Sequence, residues 1–525
     1  MSREAPLEDP VDEESLKEAT LSGVRWVMLT RVASEVLALG ATVALARLLE
    51  PAQFGEAAVA LIFIPLATIL TFEGFASALV QRESIEDDHV RAAVAMSALG
   101  GLVLSGLAAA LAPLLWSPLF GAATAELMLV MSPVFLLAAL GGVSRALLWR
   151  RLRFRRISVI EMAAVSVGNV LALALAIAGL GARAIVLGAL AQVVLGTVLL
   201  FAAAPVPLPR WHRGAQREIS GFGVPAALAG VIDVLFRNVG YVIAAATLPA
   251  ATTGIYWRAF NLGVVYQDKL SGVMMQMAFP VYSRTESRAE LRRLHERAAR
   301  VHAAVIFPLL ASLIVLAPVA IPFLLGAKWA PAVEPTQILA VAGMVAAVLT
   351  GYPQVMLAVG RPQSLLRFNL VMLAGYAAAI YVAVGHGLIA VAVAASVAYL
   401  CILVGVYRFL LARAVGLSIR RLIPELGPAL AGCLALAAVS EPVRLALEPV
   451  GAPLTLALAG TAGLVTYAVA LRVVSPAAWG DLALLLVRVF PPLGRLQRED
   501  PHDPHDPRDR VEQRELALDL AESSV

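Results

Sequence analysis

Charge is scarce in this sequence. Asp, Glu, Lys and Arg make up 15% of its 525 residues, hydrophobic residues 60%, and the mean hydropathy is +0.82. Soluble domains carry about 25% charged residues, so composition excludes a water-soluble enzyme. The formal charge of +4 is too small to indicate a nucleic-acid partner. Cysteine is nearly absent: Cys401 and Cys433 both lie in apolar windows, which excludes a disulfide framework and a zinc site. No G-x-x-x-x-G-K-[ST] loop occurs. The stretch LLGAKWAP (324–331) lacks the spacing and the hydroxyl after Lys, so ATP hydrolysis is not expected. The histidines are expected in loops, near span ends or in the tail, with no Cys or carboxylate constellation around them. A long hydrophilic catalytic loop is also missing, and the longest internal loop (284–300) reads as a basic helical segment. The first 22 residues are acidic and lack the positive n-region of a cleavable signal, so the first span is expected to stay in the mature protein.

What is present is apolar sequence in membrane-sized blocks. A spanning helix needs about 20 apolar residues to cross a hydrocarbon core of about 30 Å. Fourteen candidate windows are centred near residues 36, 68, 101, 136, 168, 193, 234, 267, 312, 346, 375, 400, 431 and 463. The fold class expected is therefore an all-α integral membrane protein. Arginine alternates between the loops as the positive-inside rule requires. The loop between spans 4 and 5 holds Arg145, Arg150, Arg151, Arg153, Arg155 and Arg156, and the one after span 8 holds Arg284, Arg288, Arg292, Arg293, Arg297 and Arg300. The opposite side has only Arg47, Arg183, Lys328 and Arg444. Both termini are thus expected on the cytoplasmic side.

Residues 1–22 form an acidic segment, 23–204 hold spans 1 to 6, 205–218 are a proline-rich cytoplasmic linker, 219–413 hold spans 7 to 12 and 414–474 hold spans 13 and 14. Residues 475–525 read as a short interfacial helix followed by a charged, proline-broken tail. The halves repeat faintly. LLEPAQFGEAAVA (48–60) and TLPAATTGIYWRA (247–259) each join two spans through a Pro-Ala turn and a Gly, 199 residues apart. An even number of intervening spans makes the repeats parallel, related by an axis along the membrane normal.

Most spans have clean centres, but spans 1, 2, 7 and 8 do not. They carry Arg31 and Glu35; Glu73; Asp233 and Arg237; and Arg258, Asp268 and Lys269. An ionisable group at such depth costs about 2.5 to 3.5 kcal/mol and normally faces a bundle interior or a water-filled cavity. Helical spacing gives each of these helices one polar stripe, with Asn261 beside that of span 8. The stripes are expected to converge between the halves. Arg31 with Glu35 and Asp233 with Arg237 also fit neutral structural pairs, and Arg258 lies close enough to a span end to snorkel. Four cations balance four carboxylates, so no net charge for a cavity follows.

The opening SGVRW…LARLLEPAQFGEAA…GFASALVQR (22–82) resembles the start of the polysaccharide transporter family, the Wzx-type flippases of the multidrug/oligosaccharidyl-lipid/polysaccharide exporter superfamily. GIYWRAFNLG with FPVYSR (254–284), FPLL…LLGAKWAPA (307–332) and AVGRPQSLLRFN (358–369) follow in the expected order. The resemblance spans Ser22 to about Leu471. It implies two pseudo-symmetric six-helix lobes around a central cavity plus two C-terminal helices. It also implies a non-enzymatic function: alternating-access flipping of polyprenyl-diphosphate-linked oligosaccharide repeat units across the bacterial inner membrane, for O-antigen, capsule or exopolysaccharide synthesis. Arg31, Arg237, Arg258 and Lys269, with Asn261, would then take the pyrophosphate or acidic sugars. Glu35, Glu73, Asp233 and Asp268 would balance those cations or carry a coupling proton or sodium ion. No cofactor is implied. The implied partners are the lipid-linked oligosaccharide, membrane lipids, and a polysaccharide polymerase with export proteins. A cation-coupled multidrug exporter, a lipid II flippase and an enzyme acting on lipid-linked sugars remain as alternatives.

Overall fold

The computed structural model describes residues 30, 33–70, 76, 79–80, 85–268, 270–272, 282, 285 and 287–489. Among these the chain is helical and forms no strand. The first half contains α1 (33–48), α2 (Pro51–Leu61), α3 (Phe63–Thr68), α4 (Asp87–Leu111), α5 (Ala122–Met131), α6 (Val134–Arg150), α7 (Phe154–Ile177) and α8 (Ala182–Ala203). The second contains α9 (Arg213–Thr247), α10 (Ala250–Phe260), α11 (Arg288–Leu325), α12 (Val333–Leu349), α13 (Tyr352–Ala358), α14 (Pro362–Val384) and α15 (Leu388–Gly405). The hairpin α16 (Ile419–Leu447) and α17 (Ala452–Val474) and the short α18 (Pro476–Val489) complete the chain.

Twelve helices among the described residues are long and apolar enough to cross a membrane. They coincide with twelve of the expected windows. The windows near 36 and 267 run into residues outside the described set, so fourteen is not confirmed. The acidic segment 1–22 and the tail after residue 489 also lie outside it. The linker is extended only through residue 212, where His212 caps α9 by accepting from the Ala215 amide at 3.3 Å. Large apolar side chains such as Val170, Ile177, Val382 and Leu434 are exposed around the bundle, the reverse of a soluble protein and the surface that lipid covers. At 38 residues α11 is about 57 Å long, far more than the membrane core needs, so its basic first turns extend beyond it.

The junction of the halves is backbone against backbone. A methyl carbon on Gly55 of α2 would lie 2.0 Å from the Ala250 carbonyl oxygen, and one on Gly254 of α10 would lie 1.8 Å from that of Pro51. Ala250 and Gly254 stand 199 residues after Pro51 and Gly55, the offset of the sequence repeat. Each Gly meets the residue four positions before the other, which is the reciprocal pattern a two-fold relation produces. The proline that starts α2 and the capping box of Glu50 with Gln53 fix where that helix begins, and hence which residue reaches the crossing.

Candidate functional site

Asp233 and Arg237 stand one turn apart on α9, so their side chains share a face. Arg237 Nε donates to Asp233 Oδ2 at 2.8 Å, and Arg237 Nη1 donates to Asp268. The partner of Asp268 across the helices is therefore a guanidinium of span 7. Gln267 Nε2 donates to Asp268 Oδ1 at 2.6 Å, and Ser271 Oγ donates to Gln267 Oε1 at 3.1 Å. Arg237 and Asp233 remain about half exposed, and Asp268 about a quarter. Two carboxylates thus share one guanidinium, an arrangement that can accept a proton or a cation without losing Arg237.

Asp268 reaches this position because α10 continues through a π turn at Asn261–Val265, an irregularity frequent at functional sites. The turn is held against α12, where a methyl carbon on Gly343 would lie 1.9 Å from the Gly263 carbonyl oxygen. Asn261 itself donates to the Trp257 carbonyl at 2.7 Å, so its amide N–H serves its own helix. Behind α9, Tyr376 packs against Phe236 and Tyr399, and Tyr352 donates to Asn369 at 2.9 Å.

Arg258 sits elsewhere, at the junction of the halves. It is 1% exposed, and its guanidinium carbon lies 4.8 Å from the Phe54 ring centroid, 5.1 Å from Trp257 and 5.5 Å from Trp329. Cation–π attraction compensates part of its desolvation, yet Nε and Nη2 have no hydrogen-bond partner. Glu35 lies partly buried on α1. Arg31, Glu73 and Lys269 lie outside the described residues. The structure thus joins Asp233, Arg237 and Asp268, and holds Arg258 in a separate aromatic box.

Sequence reasoning missed the contacts that close the Pro51 end. Trp329 Nε1 donates to the Ala46 carbonyl at 2.9 Å, and Lys328 Nζ reaches Glu50 at 3.2 Å and the Arg47 carbonyl at 3.1 Å. Arg47 Nε donates to the Leu324 carbonyl at 2.9 Å. In the sequence Arg47 and Lys328 read only as loop charges. Burial of a histidine in the basic helical segment was missed too: His295 is 1% exposed and hydrogen-bonds Tyr407 at 2.8 Å.

A family model described as "Polysaccharide biosynthesis protein" matches residues 44–334, more than half of the chain. The protein belongs to this family and is a multi-pass membrane protein of polysaccharide biosynthesis. It is 27% identical over 360 residues to the lipopolysaccharide biosynthesis protein WzxC of Escherichia coli K12, covering 68% of this chain and 73% of that one. Over 407 residues it is 23% identical to the teichuronic acid biosynthesis protein TuaB of Bacillus subtilis 168, covering 76% and 82%. A solved structure of the lipid II flippase MurJ in an inward closed conformation superposes with a TM-score of 0.64 at 14% identity, covering 85% of this chain and 98% of that one. That likeness shows the fold, one shared with an inward-facing multidrug resistance MATE family transporter, which superposes with a TM-score of 0.57 at 14% identity.

Proposed function

We propose that the protein flips polyprenyl-diphosphate-linked oligosaccharide repeat units across the bacterial inner membrane by alternating access, without chemical change to the glycan. Membership in a polysaccharide biosynthesis family supports the substrate class. The observation that carries the mechanism is Arg237, held between Asp233 and Asp268 inside the membrane and still half exposed. Charged groups exposed at that depth face water rather than lipid. A proton or sodium ion taken up by the two carboxylates weakens their hold on the guanidinium, which then engages the diphosphate in a bidentate contact. Arg31 and Lys269, with Glu35 and Glu73 as balancing carboxylates, are the further groups that the family resemblance assigns to the substrate path.

With both termini cytoplasmic, the Trp329–Ala46 contact closes the periplasmic end. Parting the lobes there removes Phe54 from Arg258 and frees its two unpaired nitrogens for the diphosphate on the release side. A buried guanidinium with two unsatisfied nitrogens is costly, and use in a second state accounts for that cost. The test is a proteoliposome assay with a labelled polyprenyl-diphosphate oligosaccharide and an impermeant enzyme that reads leaflet exposure. Flipping that requires the protein and responds to an imposed proton or sodium gradient is expected. No flipping under either gradient contradicts the reading. The excess of carboxylate over guanidinium in the cluster favours the second reading, a cation-coupled drug exporter, which would instead confer drug resistance.

A further inference from the structure

We propose a second lipid site, outside the transport path: a groove between α7 and α8 that holds the phosphate of an anionic membrane phospholipid. The groove has a volume of about 370 Å³ and is lined by Arg155, Arg156, Val159, Ile160 and Ala203. Antiparallel α7 and α8 bring Ala203, at the end of one helix, beside the first turn of the other. The lining is therefore amphiphilic in order, with two guanidiniums at the mouth and aliphatic side chains running on to a helix face whose Val159, Val167 and Val170 are exposed to lipid.

Three further observations point to an anion at this position. Arg155 and Arg156 stand second and third in α7, with Arg153 as its N-cap and no acidic residue in the first turn. Cations are disfavoured there because the helix dipole is positive at that end, and a bound phosphate removes the conflict. Glu161, the one acidic residue of α7, is already paired with Arg145 of α6 at 2.7 Å, and α8 has no acidic residue to offer Arg156. The depth is also right. Trp149, Leu152 and Trp211 are exposed at the same end of the bundle, Trp149 packs edge-on against Phe154, and exposed Trp marks the headgroup level of a bilayer. Leu152 adopts φ +54°, a left-handed conformation costly for a bulky residue, at the tip that turns the chain into the first turn of α7.

An anionic phospholipid satisfies each feature: its phosphate neutralises the arginines and its acyl chain covers Val159 and Ile160. Basic pockets between helices are established sites for such headgroups. The site is independent of the transported substrate, so its test does not depend on flipping. Full-length protein in detergent is titrated with phosphatidylglycerol, or with phosphatidylcholine as neutral reference, and bound lipids are counted by native mass spectrometry. Tighter retention of one phosphatidylglycerol is expected, weakened about tenfold or more in Arg155→Gln/Arg156→Gln. Val159→Trp, which fills the groove and keeps both arginines, should lose the same lipid. Arg420→Gln/Arg421→Gln, altering the same two positions in the first turn of α16, should retain it. Equal affinity for the two lipids, unchanged binding in either groove variant, or equal loss in the α16 variant would overturn the proposal. Stoichiometric displacement of phosphatidylglycerol by a polyprenyl diphosphate would overturn it too, by giving the groove to the transported lipid.

Discussion

Gly55 and Gly254 cross without side chains between them, each in contact with the carbonyl that begins the other's helix. At this crossing the two halves touch through backbone alone. Any rocking of the lobes has to pivot on it or break it.

Gly55→Leu and Gly254→Leu should each lower the stability of the protein by about 3 kcal/mol or more, the upper end for overpacking, because a carbonyl oxygen at 2.0 or 1.8 Å cannot rotate aside as a side chain could. Reduced membrane abundance and a lower melting temperature in detergent are the readouts. A substitution of similar size at Gly106, where an added methyl carbon would meet no neighbouring element within 4 Å, should be tolerated.

Trp329→Phe with Lys328→Ala removes the Ala46 and Glu50 contacts while keeping an aromatic ring over Arg258. The closed end should open more often. A cysteine placed at Ala58, fully buried here, should react several-fold faster with an impermeant maleimide than in the parent background, since loss of about 1 kcal/mol per hydrogen bond shifts a two-state equilibrium by that order.

Arg237→Ala leaves Asp233 and Asp268 facing each other without their shared cation. Export should fall about tenfold or more, with membrane abundance retained because both carboxylates are part-exposed and can be hydrated or protonated. Asp233→Asn/Asp268→Asn with Arg237 intact should instead abolish the response to the ion gradient. Comparing the two variants in the proteoliposome assay separates binding from coupling.

Arg258→Met fills the aromatic box with an apolar chain of similar length. Because the guanidinium carries two unpaired nitrogens, stability should change by less than about 1 kcal/mol or rise. Export should nevertheless fall. Thermal stability measured beside surface polymer distinguishes the two effects, and full export would assign Arg258 to packing alone.

The membrane class, the twelve long helices and the internal repeat were legible in the sequence because hydropathy and the Pro-Ala-Gly pattern are local. The i,i+4 spacing of Asp233 and Arg237 was legible for the same reason. The pairing of Arg237 with Asp268 was not, since it depends on the π turn at Asn261–Val265, and nothing in NLGVV announces that turn. Arg258 reads as a polar residue near a span end, yet Phe54, some two hundred residues earlier, and Trp329 enclose it. Tertiary partners of that kind leave no periodic trace. The loop arginines 155 and 156 carried a topology signal, and that role hid their position at the mouth of a groove.

The most direct measurement is made in the native host. The gene is deleted, redundant flippases are removed, and polyprenyl-diphosphate oligosaccharides in the inner membrane are quantified beside polysaccharide at the cell surface. Accumulated lipid-linked repeat units with lost surface polymer, both restored by the wild-type chain and not by Arg237→Ala, is the result expected. Unchanged levels of both would contradict the central claim.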